Sequence, residues 1–415
     1  MLRVKNIYYL WTVRNNIMNT TYLSDRINQL SVSQTLAMAA KARELKSQGI
    51  DVISLSLGEP DFQTPDFIKE AAKQAIDENW THYPPVDGYP ELKQAIINKF
   101  QRDNGISYQL DEIVVSTGAK QSLYNIAQSM INPGDEVILP APYWVSYYEI
   151  IKLSGGVPIE IPTDISTDFK ITPEQLEKAI TPKTKMLWYS SPCNPSGSVY
   201  SRQELEALAE VLKKHPGVFV VSDEIYEHIN FTGDYCSMAA IDGMKDRTVT
   251  VNGIAKAFAM TGWRIGYIGA PAWIAKACVK LQGQVTSGAN SITQRATIAA
   301  VEANPEVLQY MVTAFKKRRD LVVDLIRKIP HFNINIPEGA FYVFPDVSYY
   351  FGKELNGVII NNATDFSMYL LEKAHVAVVT GEAFGNPDCI RLSYATSDEQ
   401  LTEAFERIRK ALVIS

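Results

Sequence analysis

Cysteine is scarce. The 415 residues hold four, at Cys193, Cys236, Cys278 and Cys389, with neither paired nor zinc-finger spacing. That excludes a disulfide framework and a cysteine-built zinc site, and it suggests reduced thiols in a cytoplasmic protein. No apolar run reaches the length of about 18 residues that a membrane-spanning helix needs. Positive charge is not in excess either, since 40 Lys and Arg face 46 Asp and Glu for a formal net charge of −6. General nucleic-acid and membrane-surface binders normally show a basic excess, so no such partner is expected. Small anions stay within reach, because a few local cations suffice to hold them. Neither GxxxxGK[ST] nor a GxGxxG after a first strand occurs, which removes the nucleotide and dinucleotide fingerprints. Internal repeats and low-complexity tracts are lacking too.

What is present is ordinary globular composition, 46% hydrophobic and 21% charged, in a chain long enough for two domains or one large α/β domain with a satellite. Residues 1–24 contain no acid, and a second Met, Met18, precedes the patterned sequence. The first 17 residues read as a disordered extension from an upstream start, an expectation that dense burial of Trp11 would contradict. The expected division is an extension over 1–24, a segment 25–64 belonging to a small domain, a large domain over 65–300 and the rest of the small domain over 301–415.

Along the chain, apolar spacing predicts a helix over 25–48, a strand entering a Gly-Pro turn at Gly58, a helix over 65–78 and a Pro/Gly-rich loop carrying His82, Tyr83 and Tyr89. From there strands alternate with helices. Strands are expected over 112–116, 136–139, 185–189 and 218–221. Thr172 with Gln175, and Ser201 with Glu204, form capping boxes at two helix starts. A long helix is expected over 305–328 and a last one over 398–413. Unbroken apolar strands between amphipathic helices indicate a mostly parallel sheet covered on both faces, and such sheets bind ligands at the carboxyl ends of their strands.

Several residues fall at those ends. Thr117, Gly118, Ala119 and Lys120 form a strand, turn and helix N-terminus suited to an anion. Asp223 ends an apolar strand, where a carboxylate needs a cation or donor. Tyr226, Asn194 and Trp144 follow neighbouring strands. Lys256 stands on a loop after another strand, with Arg264 eight residues on; a desolvated lysine has a lowered pKa, and its free amine attacks carbonyls. Taken singly, each has a plainer reading: Lys256 as a surface lysine, Arg264 as a structural ion pair, Trp144 and Tyr226 as core aromatics. Taken together they suit pyridoxal 5′-phosphate, which requires a Schiff-base lysine, a partner for its ring nitrogen and an anion cradle.

The motifs SLGEPDF, YPPVDGYPELKQAI, STGAKQSLYN, PYWVSY, NPSG, SDEIYEH, NGIAKAFAMTGWRIGY and CIRLSYATS occur in an order and spacing that resemble the class I aminotransferases of the aspartate aminotransferase fold, in the branch with bacterial aspartate and prephenate aminotransferases. The resemblance runs from about Leu23 to the C-terminus. It implies the fold-type I architecture, a mostly parallel seven-stranded sheet covered by helices plus a smaller α+β domain. It also implies amino transfer from L-aspartate to 2-oxoglutarate by a ping-pong route. The alternatives are prephenate or another amino acid as substrate, or a lyase reaction on the same cofactor.

By this resemblance Lys256 forms the Schiff base and moves the proton, and Asp223 keeps the ring nitrogen protonated. Tyr226 and Asn194 bind the ring oxygen, and Trp144 stacks on the ring. Gly118, Ala119, Lys120 and Arg264 surround the phosphate, joined by Tyr83 from the other subunit of a homodimer. Arg391 grips the α-carboxylate, with Gly58, Asn194 and Trp144 also at the substrate, while Lys120 favours dicarboxylates. Three departures bear on tuning and selectivity: Ala255 stands where many members have Ser, NPSG replaces NPTG, and no Arg occurs over 284–294.

Overall fold

The computed structural model describes residues 22–413, so residues 1–21 of the expected extension, Trp11 among them, lie outside that range. The first strand, β1 (Ile53–Ser54), is short. The next seven are β2 (Ile113–Ser116), β3 (Glu136–Ala141), β4 (Val157–Pro162), β5 (Thr184–Ser190), β6 (Phe219–Asp223), β7 (Thr248–Gly253) and β8 (Gly266–Gly269). They form one sheet in the order β2-β8-β7-β6-β5-β3-β4. All neighbouring pairs from β7 to β4 are parallel, and β8 runs antiparallel to both β7 and β2. This is the mostly parallel seven-stranded architecture expected.

The strands are apolar throughout because both faces are covered. Met186 and Trp188 of β5 pack on one side with Leu123, Ile126 and Ile274 from the helices Ala119–Met130 and Ala272–Val285. Leu187 and Tyr189 pack on the other with Leu205, Leu208 and Leu176 from Arg202–Lys213 and Pro173–Ala179. Both capping boxes form as the sequence indicates. The parallel register sets Ser190 beside Asp223, and Asp223 beside Val251. The carboxyl ends of β5, β6 and β7 are therefore level, and the loops leaving them open onto one space.

The remaining strands are β9 (Tyr342–Val343), β10 (Lys353–Leu355), β11 (Val358–Ile360), β12 (Val376–Ala377), β13 (Val379–Thr380) and β14 (Ile390–Ser393). β13, β14 and β9 form a small antiparallel sheet, and β1 pairs in parallel with β12. Ser393 faces Tyr342 across β14 and β9, which brings Arg391 and Tyr342 close together.

Three elements differ from expectation. The helix over 25–48 is two helices, Asp25–Asn28 and Gln34–Ser47. Between them Ser31 N–H donates to Glu149 and Lys152 donates to the Gln29 carbonyl, so contacts with the helix Ser146–Leu153 outweigh local propensity. The strand before Gly58 stops at Ser54: Leu55 still makes backbone hydrogen bonds with Ala377 and Ser393, but the carbonyls of Ser56 and Gly58 accept from the side chains of Arg391 and Lys256. The long helix begins as a 3₁₀ turn, Pro305–Leu308, capped by Asn304, and becomes α-helical over Gln309–Ile326.

Candidate active site

A cavity of about 360 Å³ lies at the carboxyl ends of the parallel strands. Its wall brings together Gly58, Gly118, Ala119, Lys120, Trp144, Asn194, Asp223, Tyr226, Lys256, Arg264 and Arg391. Of the residues that the resemblance assigns to cofactor or substrate, Tyr83 alone is elsewhere. It is 95% exposed on the 81–89 loop, where it does not reach the cavity of its own chain.

Lys256 follows β7, and its amine donates to the Gly58 carbonyl. Burial pushes the amine down to about 8; Arg391 and Arg264 push the same way, against the opposing pull of Glu59 and Asp223. A charge inside a low-dielectric wall is disfavoured, so the neutral, nucleophilic amine becomes accessible near physiological pH. The surface-lysine reading is thereby removed.

Asp223 is buried at the end of β6. One carboxylate oxygen accepts from Tyr147 Oη at 2.6 Å and the other from the Ile225 N–H at 3.2 Å. Burial still lifts it to about 6, although Tyr147, Ile225 and Lys256 all favour the anion. A protonated ring nitrogen beside it would supply the missing opposite charge.

Arg391 is 2% exposed. Nη1 donates to Asn194 Oδ1 at 2.9 Å, Nη2 donates to the Ser56 carbonyl at 2.7 Å, and Nε has no partner. The guanidinium lies over the rings of Tyr342 and Phe384, at 4.6 and 4.9 Å. Among the described residues no acid pairs with it, so a buried cation faces the cavity with donor capacity in reserve.

At the opposite wall, the helix Ala119–Met130 starts at Gly118 (φ 86°) without a side-chain cap. Its first N–H groups are therefore open to an anion. A Cβ on Gly118 would come within 2.4 Å of Arg264 Nη2, and one on Gly266 within 2.2 Å of the Ala119 nitrogen. Only glycine lets the backbone and Arg264 converge so closely. Lys120 sits over the Trp144 ring at 4.7 Å, and burial followed by nearby Arg264 lowers its amine.

The sequence does not mark two further tyrosines of the site. Tyr147 holds Asp223, and its only local signal is its place one turn after Trp144 in PYWVSY. Tyr342 donates to or accepts from Tyr226 at 2.8 Å, hydroxyl to hydroxyl, and nothing in EGAFYVFP sets it apart from a core aromatic.

These groups fit pyridoxal 5′-phosphate: an anion cradle for its phosphate, a buried carboxylate for its ring nitrogen and a lysine amine of lowered pKa for its aldehyde. The fold and cavity together define an enzyme that depends on that cofactor. The family model for aminotransferase class I and II matches residues 50–408, and the chain belongs to that family. It is 50% identical over 391 residues to the aspartate/prephenate aminotransferase of Cereibacter sphaeroides, covering 94% of this chain and 98% of that one. The bifunctional aspartate aminotransferase and glutamate/aspartate-prephenate aminotransferase of Petunia hybrida is 49% identical over 396 residues, covering 94% and 83%. The crystal structure of the Rhizobium meliloti aspartate aminotransferase superposes with a TM-score of 0.91 at 47% identity, covering 94% and 98%. The Thermus thermophilus aspartate aminotransferase with maleate gives 0.88 at 42% identity, covering 94% and 99%.

The buried amine carries a pH-dependent stability prediction for the cofactor-free protein. The folded pKa of Lys256 lies below its unfolded value, so the folded state binds fewer protons and gains stability as pH rises from about 8 to 10.5. Lys256→Met apoenzyme is therefore expected to melt above wild-type apoenzyme at pH 7, with a smaller gap at pH 9.5. Calorimetry at the two pH values reads this, and an equal gap at both would refute it.

Proposed function

We propose that this protein transfers the amino group of L-aspartate to 2-oxoglutarate and accepts prephenate as a second oxo acid. The observation that carries the reading is Arg391, a buried guanidinium without an acid partner, opening on the same cavity as the Lys256 amine. A substrate α-carboxylate held there as a planar fork brings its α-carbon to that amine. The names of relatives that share about half of the residues support aspartate and prephenate as substrates.

Bound pyridoxal phosphate supplies an electron sink for charge that develops at the α-carbon. Lys256 carries the proton between that carbon and C4′ of the cofactor. Asp223, steadied by Tyr147, holds the proton on the ring nitrogen. Tyr226 and Asn194 donate to the ring oxygen, and Trp144 covers the ring face. Gly118, Ala119, Lys120 and Arg264 surround the phosphate together with Tyr83 of the partner subunit, so the working form is a homodimer with shared sites. That assignment gives the exposed ring of Tyr83 a use. Gly58, Asn194 and Trp144 flank the substrate, and Lys120 receives the distal carboxylate of a dicarboxylic acid. Residues 65–300 act as the large, cofactor-binding domain, and 25–64 with 301–415 as the small one. The four free, buried thiols suit a cytoplasmic enzyme.

The test is a substrate panel. Cofactor-loaded enzyme is given aspartate, glutamate or alanine with 2-oxoglutarate or prephenate, and amino-acid and oxo-acid products are quantified. Aspartate is expected to exceed alanine by roughly 10- to 100-fold in kcat/KM, the worth of one charge-assisted hydrogen bond. Alanine turning over as well as aspartate would overturn the substrate assignment. Pyruvate with ammonia, or CO₂, as main product would replace transfer by a lyase reaction.

A further inference from the structure

Tyr226 and Tyr342 face each other at the floor of the cavity. Both are buried, at 3% and 0% exposure, and their hydroxyl oxygens are 2.8 Å apart. The rings meet edge to face with centroids 5.9 Å apart. Among the described residues this is the sole hydrogen bond of either hydroxyl. Two protons therefore share one hydrogen bond, and the second proton must point to an acceptor outside the pair. Which tyrosine donates decides where that proton goes.

The surroundings settle the order. Tyr342 stands on β9 with its hydroxyl pressed against Gly58; a Cβ built on Gly58 would come within 2.2 Å of that oxygen. Its ring is fixed from the other side by the Arg391 guanidinium, 4.6 Å from the ring centre. Both rings border the cavity, but the Tyr342 hydroxyl is held against Gly58, whereas Tyr226 leaves β6 three residues after Asp223, the carboxylate assigned to the cofactor's ring nitrogen. We propose that Tyr342 is a positioning residue, which donates its proton to Tyr226 and so aims the proton of Tyr226 at the ring oxygen of the bound cofactor. Burial raises both hydroxyls and the charge of Arg391 draws both down, but of the two rings the guanidinium lies against that of Tyr342, which makes that hydroxyl the better donor. The other charged groups of the cavity, Glu59, Lys120, Asp223, Lys256 and Arg264, are the same in every variant tested.

The consequence is spectroscopic. A donor aimed at the ring oxygen draws negative charge from it, so the nitrogen shared between cofactor and Lys256 holds its proton less tightly. A hydrogen bond received by Tyr226 polarises its hydroxyl and strengthens that donation. Loss of the Tyr342 hydroxyl weakens the chain and raises the pH at which the visible band of the loaded enzyme titrates.

The inference rests on the assignment of Lys256 and Tyr226 to the cofactor, and the experiment separates the two. Wild type, Tyr342→Phe, Tyr226→Phe and the double variant are loaded with cofactor, and their visible spectra are titrated with pH. Tyr342→Phe is expected to shift the midpoint upward by about 0.5–1 unit, one hydrogen bond's worth. It should lower kcat several-fold while leaving KM nearly unchanged, because the ring under Arg391 remains. In the Tyr226→Phe background the same change should add no shift, since it acts through Tyr226. A single 3-fluorotyrosine at position 342, a stronger donor of nearly the same shape, should shift the midpoint downward and needs no loss of the hydroxyl. An unmoved midpoint in folded Tyr342→Phe, or a shift that persists without the Tyr226 hydroxyl, would overturn the proposal. A wild-type enzyme whose visible band does not titrate at all would overturn the cofactor assignment, and this inference with it.

Discussion

Lys256→Ala enzyme is expected to lose turnover by about 10⁴-fold or more, the upper range for a positioned proton carrier, with the fold intact. The amine has one protein hydrogen-bond partner in the structure, the Gly58 carbonyl, so little else is disturbed by its removal. Burial is the main reason that this side chain suits the work. It brings the amine to about 8, where neutral and charged forms interconvert near physiological pH. Lys256→Arg should be as inactive as Lys256→Ala, because a guanidinium keeps the charge but does not give up its proton in this range. Steady-state rates with aspartate and 2-oxoglutarate, measured beside thermal melts, read the outcome. An alanine variant within about tenfold of wild type would remove Lys256 from the reaction.

The second large effect is expected at Arg391. Arg391→Lys should lower kcat/KM by roughly 30- to 4,000-fold, the equivalent of the 2–5 kcal/mol measured when one member of a buried charged pair is truncated. Lysine offers a point charge, and it cannot donate at once to Asn194, to the Ser56 carbonyl and to a carboxylate fork. The distinguishing feature is that amino-acid and oxo-acid substrates should suffer alike. Both carry the α-carboxylate, whatever their side chains. Separate kcat/KM values for aspartate and for 2-oxoglutarate test this, and a loss confined to one of them would contradict the assignment.

The chain's local patterns announce some of these groups and hide others. Asp223 and Lys256 were legible because each follows an apolar strand, and in a parallel sheet every such strand ends on the ligand-binding edge. The helix starts at Thr172 and Ser201 were legible because a capping box is satisfied within four residues. The break at 29–33 was not, since its hydrogen bonds go to Glu149 and Lys152, more than a hundred residues away. Arg391 came from the likeness of CIRLSYATS to a family motif; by itself, an arginine between Ile390 and Leu392 reads as an oddity in a buried strand. Its partners Asn194 and Ser56 lie 197 and 335 positions off.

Sequence alone therefore indicated the fold class and the cofactor, because the alternation of strands and helices, the capping boxes and the strand-end lysine and aspartate are properties of short segments, and it indicated the reaction class through the likeness of its ordered motifs to the class I aminotransferases. Tertiary structure decided how those groups are tuned. It alone put Tyr147 against Asp223, Tyr342 between Tyr226 and Arg391, and the Gly58 carbonyl on the Lys256 amine. The reason is physical: a pKa or a hydrogen-bond direction depends on burial and on neighbours within a few ångströms, and those neighbours come from parts of the chain that meet only when the sheet and the smaller strands close around one cavity.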